Sequence, residues 1–191
     1  WCLAGFCRAL ALLGSDPGAS LTLARESAER AGALGSSWAR AFALTVTGIC
    51  HAIAGDLDEA STSYSDALAI QLGLGDHEGA GLSFGGLAGL AAGRGDAPGA
   101  IELYGRSLEA FEAVGDRSEE ARILTEIAWT HLGTSETALA RRYFLESVQA
   151  HADVASVRGV GLSLIGLAAT EAVEQRPDRA ERPRHDEPAP G

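Results

Sequence analysis

The side chains of this chain that could do chemistry are its histidines and tyrosines, and none stands in a catalytic pattern. The five histidines form no H-E-x-x-H motif, and none lies beside cysteines or carboxylates at metal-ligand spacing. All 15 basic residues are arginines, so a P-loop lysine, a Schiff base and a lysine general base are excluded. We therefore predict a protein without catalytic residues, bound metal or cofactor.

Two stretches of the chain repeat each other at a distance of forty residues. GDLDEASTSYSDALAIQLGLGD fills positions 55–76, and GDAPGAIELYGRSLEAFEAVGD fills positions 95–116. We call a set of residues at this spacing a column; one such column contains Tyr64, Tyr104 and Phe144. Because Phe144 lacks the hydroxyl, the two tyrosines are predicted to be packing residues. Several columns keep their character with no gap, which indicates an internal repeat.

Each repeat unit is predicted to contain two helices. Leu44, Gly48 and Ala52 are spaced by four and share one helix face. Gly55 then ends that helix, and Asp56 is predicted to cap the next one, with a glutamate three residues on as in a capping box. No run of β-branched residues bounded by turn signals predicts a strand.

A ridge of glycines runs along one predicted helix. Gly81, Gly85, Gly89 and Gly93 follow one another at intervals of four. They predict a close helix–helix contact. Since each interior glycine costs about 0.5–1 kcal/mol of backbone entropy, this helix is also predicted to be the least stable.

The columns resemble those of the tetratricopeptide repeat (TPR) family. That family places a large residue, a leucine and a small residue in its first helix, and a small residue, an aromatic and another small residue in its second. Three units supply this pattern: Leu44, Gly48, Ala60, Tyr64 and Ala67; Phe84, Leu87, Ala88, Ala100, Tyr104 and Ser107; and Leu124, Ile127, Ala128, Ala140, Phe144 and Ser147. The spacing of forty, where the standard repeat has 34 residues, resembles the repeat arrays of bacterial signal-transduction ATPases and transcriptional regulators.

The resemblance implies an all-α fold, a right-handed α-solenoid of antiparallel helix pairs with about four and a half repeats. The repeat domain is predicted to span 1–180, with units at about 1–36, 37–76, 77–116, 117–156 and 157–180. Three prolines and mixed charges predict a disordered tail at 181–191.

Composition narrows the choice of partners. The formal net charge of −11 opposes direct binding to nucleic acid or to anionic lipid. The longest apolar stretch is too short to span a membrane, and the three cysteines form no disulfide framework. We therefore predict a cytoplasmic protein.

The resemblance implies that the first helix of each unit lines a concave groove that binds a protein or peptide. Trp129 is the leading candidate, because its column otherwise contains Ile49, Gly89 and Ala169. The alternative is that Trp129 is buried between helices. The predicted groove residues are Thr45, Ile49, Arg122, Thr125, Glu126, Trp129 and Leu132.

The favoured function is a protein-interaction scaffold, the regulatory or sensory segment of a larger bacterial signalling protein or transcription regulator. The absence of methionine predicts that the chain is a fragment or a processed product. The apolar residues near both ends favour a first alternative, a free-standing scaffold that forms homo-oligomers through uncapped terminal helices. A second alternative is a small-molecule sensor or enzyme that uses the groove.

Overall fold

The computed structural model of the protein describes residues 16–175. Within this range every regular element is an α-helix, and no strand is present. The predicted apolar start and the predicted tail at 181–191 lie outside the described residues. The eight described helices are α1 Pro17–Ala33, α2 Ser37–Ala54, α3 Leu57–Leu74, α4 His77–Gly93, α5 Ala97–Val114, α6 Arg117–Gly133, α7 Thr137–Asp153 and α8 Val157–Glu174.

The helices pair as antiparallel hairpins that stack in chain order. Helix α2 packs on α3, α4 on α5 and α6 on α7, and each pair also contacts the next. We call the first helix of a pair helix A and the second helix B. By column, α1 is a helix B and α8 is a helix A. The predicted all-α solenoid is confirmed, and its core is a row of small clusters rather than one centre.

Aspartates hold the N-cap position of five of the eight described helices, and the side chains of four of them make the capping bond. Asp76, Asp96 and Asp116 accept hydrogen bonds from backbone N–H groups in the first turn, at 3.0–3.1 Å. Asp56 holds the N-cap position of α3, but its side chain makes no capping bond. It faces His51 instead, with 3.3 Å between Oδ2 and Nδ1. The predicted capping box is therefore wrong here, because a histidine at the end of helix A competes for the carboxylate.

A residue with positive φ follows each of the first seven helices. Five of the seven positions are glycine, from Gly35 to Gly115, with φ of 67–87°. The last two are Ser135 at φ 62° and Ala155 at φ 55°. Side chains are disfavoured in this left-handed region, so these two turns are strained.

Replacing Ser135 or Ala155 by glycine is expected to stabilise the protein. Each change should raise the free energy of unfolding by about 0.5–1 kcal/mol, because relief of left-handed strain exceeds the added entropy of the unfolded chain. Urea unfolding followed by circular dichroism measures the shift. Gly115→Ala is the reverse control and should destabilise; equal midpoints for all three variants would contradict the strain argument.

Aromatic rings of helix B press on glycines of helix A. A Cβ built on Gly48 would lie 2.8 Å from the Tyr64 ring, and one built on Gly86 would lie 2.5 Å from the same ring. Tyr64 is thus held between α2 and α4, and neither glycine has room for a methyl group. Gly81 meets Phe111 of α5 in the same way, at 2.8 Å.

The glycine ridge of α4 is only partly a contact surface. A Cβ on Gly85 would lie 3.3 Å from Ile123, one on Gly89 would lie 3.7 Å from the Tyr104 hydroxyl, and one on Gly93 would meet nothing within 4 Å. The close contact predicted for the ridge thus holds for its first half. The lower stability of α4 stays a prediction.

Gly86→Ala is expected to destabilise the protein although alanine favours helices. The Tyr64 ring cannot retreat, because Gly48 blocks its other side, so overpacking should cost about 1–3 kcal/mol. Gly105→Ala, in the interior of α5 with nothing within 4 Å of its Cβ, is the matched control and should stabilise by about 0.5–1 kcal/mol. Thermal unfolding of both variants tests the contrast, which fails if the two shift in the same direction.

Candidate binding groove

The helices A form the concave side of the array. Successive helices A contact one another, α2 with α4, α4 with α6 and α6 with α8. Between residues 16 and 175, successive helices B make no such contact. In a stack of hairpins, the helices that approach each other lie on the inside of the curve, so the groove runs across α2, α4, α6 and α8.

A cavity of about 380 Å³ opens in this groove over α4. Gly85, Gly86 and Gly89 form part of its lining, and α4 and α6 approach each other less closely than the other helices A do. An adjoining cavity of about 290 Å³ includes Ile49 and Leu82. We call Gly85, Gly86 and Gly89 the glycine floor. Gly89 is exposed, so the backbone of α4 is accessible to a bound chain at that position.

Arg122 and Glu126 of α6 border the cavity over α4. Arg122 donates from Nε to Oε2 of Glu119 at 2.7 Å. A Cβ on Gly85 would lie 3.5 Å from the Arg122 Nη2, so the guanidinium extends toward the glycine floor. Its other donors remain available to an acceptor on a partner, while Glu126 offers a carboxylate.

The rings of Tyr64 and Tyr104 also contribute to this cavity, although both residues are buried. Burial raises the pKa of each phenol to about 12, with Cys50 adding to the effect at Tyr64 and Glu126 at Tyr104, while Arg122 opposes it at both. The hydroxyls therefore stay protonated at neutral pH. Their prediction as packing residues is confirmed by burial of 96% or more.

A second groove cavity, of about 420 Å³, lies between α6, α7 and α8. Arg122, Glu119 and Glu126 line it too, so α6 forms a charged ridge between two openings. Arg158 and Leu162 of α8 line its far side. This cavity places Arg122 and Glu126 at the centre of the described groove.

Two of the predicted groove residues lie in the interior instead. Thr45 is 2% exposed, accepts from Gln71 Nε2 at 3.0 Å and lies 3.2 Å from Ser83 Oγ. Thr125, 7% exposed, lies 3.0 Å from Ser147 Oγ. Their side chains join buried hydrogen-bond clusters between units. For Thr45 the predicted groove position is therefore corrected to a structural one. Thr125 also lines the second groove cavity, so partner binding by Thr125 stays a prediction.

The two buried clusters occupy the same columns, two units apart. Thr45, Gln71 and Ser83 form the first. In the second, Thr125 contacts His151 Nε2 at 3.2 Å, and Ser147 connects Thr125 to Ser163. The junction between them has Gly85, Phe111 and Ile123 in these columns. Polar and apolar junctions thus alternate along the array.

Trp129 and Leu132 differ in how far they face the groove. Trp129 is 37% exposed and meets the edge of the Phe144 ring at 5.1 Å between centroids. Its column mates Ile49 and Gly89 line the cavities over α4. Leu132 packs against the cluster of Ala128, Ala140 and Phe144. The Trp129 side chain therefore packs partly against Phe144 and is partly exposed to solvent. Partner binding by Trp129 or by Leu132 stays a prediction.

Another cavity, of about 480 Å³, lies away from the groove between α1, α2 and α3. Here Arg25 Nη2 is 3.1 Å from His51 Nε2, and His51 Nδ1 faces Asp56. Arginine can only donate, so Nε2 accepts and the ring proton lies on Nδ1 toward the carboxylate. The arrangement links three helices, which agrees with a structural histidine.

The glycine floor was not predicted as part of the groove. The spacing of these glycines is visible in the sequence, but it predicted a contact between helices. The sequence does not show whether the space left by a missing side chain is filled by a neighbouring helix or opens to a ligand. Among the described residues, no three of His, Cys, Asp and Glu are grouped so that they could hold a metal ion. In the same part of the chain, no helix is both long and apolar enough to cross a membrane.

The repeat columns match a known family model. The model described as "Tetratricopeptide repeat" matches residues 74–153, which include α4 to α7. These residues are tetratricopeptide repeats. No curated protein matches the sequence. In TPR terms, α4/α5 and α6/α7 are the two units that the model covers, and the Trp129 helix belongs to the second.

Several solved structures share the fold at low sequence identity. BtubC from P. vanneervenii is 16% identical with a TM-score of 0.74 over 84% of this chain and 67% of its own. Aspartyl phosphate phosphatase F from Bacillus subtilis is 11% identical with a TM-score of 0.80, over 91% of this chain and 47% of its own.

A third similar structure is a signal transduction ATPase with numerous domains that has a TPR sensor, from Pyrococcus horikoshii. It is 16% identical, with a TM-score of 0.74, over 88% of this chain and 26% of its own. The chain therefore spans about half of the phosphatase and about a quarter of this ATPase. At these identities the similarity shows the fold alone.

His151→Gln is expected to remove part of the pH dependence of stability. Burial lowers the pKa of His151 below its ordinary 6.5, and its Nδ1 has no hydrogen-bond partner. Below that value the unfolded chain binds a proton that the folded chain excludes, so stability falls as the pH drops. Glutamine, which the same column has at Gln71, should bond to Thr125 without titrating.

Urea unfolding at about pH 7 and pH 5 tests this prediction, because the two values bracket the ordinary histidine pKa. The stability difference between the two pH values should shrink in His151→Gln and stay the same in His77→Gln, where the histidine is exposed at the start of α4. An unchanged difference in His151→Gln would contradict the assignment.

Proposed function

We propose that the protein is a non-catalytic interaction scaffold that binds a peptide or partner domain in its concave groove. The observation that supports this most directly is the surface formed by Arg122, Glu126 and Trp129 beside the glycine floor of α4. The helix packing does not require these three side chains, since the other described helices A have only glycine or apolar residues in the same columns. These residues are Phe42, Leu82 and Leu162 for Arg122; Val46, Gly86 and Gly166 for Glu126; and Ile49, Gly89 and Ala169 for Trp129.

The charges and the floor together favour an extended peptide. The exposed Gly89 leaves room for a close main-chain approach, and Arg122 can donate to a carbonyl or carboxylate of the ligand. Glu126 can accept from an amide or a basic side chain. Trp129 offers an aromatic face at the edge of the groove, the residue type most often found to dominate binding energy.

Within a cell we propose that this groove belongs to the regulatory or sensory segment of a larger bacterial signalling protein in the cytoplasm. The forty-residue units and the similarity in fold to the TPR sensor of a signal transduction ATPase support this role. The net charge of −11 favours a partner with a basic surface, because complementary charge accelerates encounter.

Selection of peptides from a phage-displayed library on the intact protein tests the groove. The enriched peptides should bind Arg122→Ala and Trp129→Ala at least about tenfold more weakly than the wild type, because both variants remove contacts at the centre of the groove. Isothermal titration calorimetry with the synthetic peptides gives the affinities.

Leu145→Ala is the control for this experiment. Leu145 is an exposed apolar residue of helix B, outside the groove, and its replacement should leave affinity unchanged. Thermal unfolding confirms that Trp129→Ala remains folded despite losing its contact with Phe144. If Leu145→Ala weakens binding while the two groove variants do not, the ligand lies on the convex side and the proposal is wrong.

A further inference from the structure

The junctions between units are filled to different extents on the side away from the groove. One column on the helices B contains Ser63 in α3, Leu103 in α5 and Tyr143 in α7. Tyr143 packs against two hydrophobic clusters, one from α4, α5 and α6 and one from α6 and α7, so its ring fills the junction between those two units. Ser63 is too small to do the same, and it lines the cavity of about 480 Å³ between α1, α2 and α3.

The neighbours of Tyr143 show how this column holds an aromatic ring. Tyr143 stacks on His131, with 5.4 Å between the ring centroids and 9° between the planes. The guanidinium carbon of Arg142 lies 4.5 Å from the centre of the Tyr143 ring. The cavity has the same two kinds of side chain, since His51 stands in the His131 column and Arg25 Nη2 lies 3.1 Å from His51 Nε2. The groups that hold a ring are therefore present, but the column supplies no ring at this junction.

The apolar part of the lining leaves room for a ring from elsewhere. Ala28 of α1 lines the cavity, whereas the two following units have Leu68 and Leu108 in its column. Leu44 of α2 adds an apolar side chain to the lining. The volume lies in the range of small-molecule sites, which are mostly apolar with a few polar groups that fix orientation. The cavity therefore has the size and character of a site for a small aromatic molecule.

The charges of the lining favour a ligand with a positive group. Glu29 of α1 and Asp58 and Glu59 of α3 line the cavity, and all three residues are exposed. Asp58 accepts from Arg94 Nη2 at 2.8 Å. Even with Arg25 included, Glu29 and Glu59 leave an excess of negative charge at the mouth. A cationic substituent is therefore attracted there and an anionic one is repelled.

We propose that the cavity between α1, α2 and α3 binds an arylalkylamine, a small molecule with an aromatic ring and a short chain that ends in an amine. The ring takes the place that Tyr143 fills in its own junction and packs against Leu44 and the Arg25 guanidinium. The ammonium group faces Glu29 and Glu59. The site uses residues other than those of the groove, so it stands independently of the function proposed above.

Isothermal titration calorimetry of the full chain with tyramine tests the proposal, and saturable binding is expected. Ser63→Tyr should bind tyramine at least about tenfold more weakly, because its own ring fills the cavity and removes the burial of the ligand ring. Ser63→Leu, which introduces the residue found at Leu103, should weaken binding in the same direction. Ser63 Oγ donates to the Glu59 carbonyl within α3, so its loss leaves the helix intact, which circular dichroism checks.

Ser65→Tyr is the matched control, since it makes the same substitution at an exposed position of the same helix. It should leave tyramine binding unchanged. The double variant Glu29→Gln/Glu59→Gln tests the charge: it should weaken tyramine binding about threefold to fivefold, as is usual for exposed charge pairs. The binding of p-cresol, which lacks the amine, should be the same in this variant and in the wild type.

Three results would overturn the proposal. The first is an absence of saturable tyramine binding, and the second is binding that Ser63→Tyr and Ser63→Leu leave unchanged. The third is tighter binding of 3-(4-hydroxyphenyl)propionate than of tyramine, because the preferred ligand would then be an anion. Loss of tyramine binding in Arg122→Ala, with Ser63→Tyr binding as the wild type does, would place the amine in the groove and would also contradict the proposal.

Discussion

The contact between an aromatic ring of helix B and a small residue of helix A is the interaction on which the whole array depends. Tyr64 lies between Gly48 and Gly86, and a Cβ on Gly166 would overlap the Phe144 ring. A single ring therefore joins its own hairpin to the next one. Short contacts of this kind fix both the spacing and the rotation of neighbouring units, because a dense interior leaves no alternative position for the ring.

The groove depends on the same contact. Helix α4 has glycines where it packs against Tyr64. Glycines of the same helix also lack side chains on its concave side, and this leaves the cavity over α4. Tyr104 meets a different surface, since the column of Gly86 and Gly166 contains Glu126 in α6. The carboxylate that the packing does not require is thus placed at the edge of the groove, next to Arg122.

The sequence was sufficient for the fold because its columns record packing directly. Phe144 in the tyrosine column predicted burial, and the glycine turns predicted the hairpins. The sequence was not sufficient to predict the contacts of side chains that have two possible hydrogen-bond partners. The Asp56 side chain contacts His51 instead of capping its helix. The hydroxyls of Thr45 and Thr125 contact Gln71 and Ser147 in the interior. The columns show which positions are equivalent in successive units. They do not give the distances between side chains of neighbouring units, and those distances decide which hydrogen bonds form.

The alternation of polar and apolar junctions constrains how such an array changes its length. If residues 77–116 were removed, Gln71 would face the apolar Ile123 and lose the hydroxyl of Ser83 that it accepts from at 2.7 Å. If residues 77–156 were removed, Ser163 would take the place of Ser83 and the hydroxyl would be restored. Deletion of two units therefore preserves these buried hydrogen bonds and deletion of one unit does not, so a pair of hairpins is the smallest segment by which the array can change length without losing them.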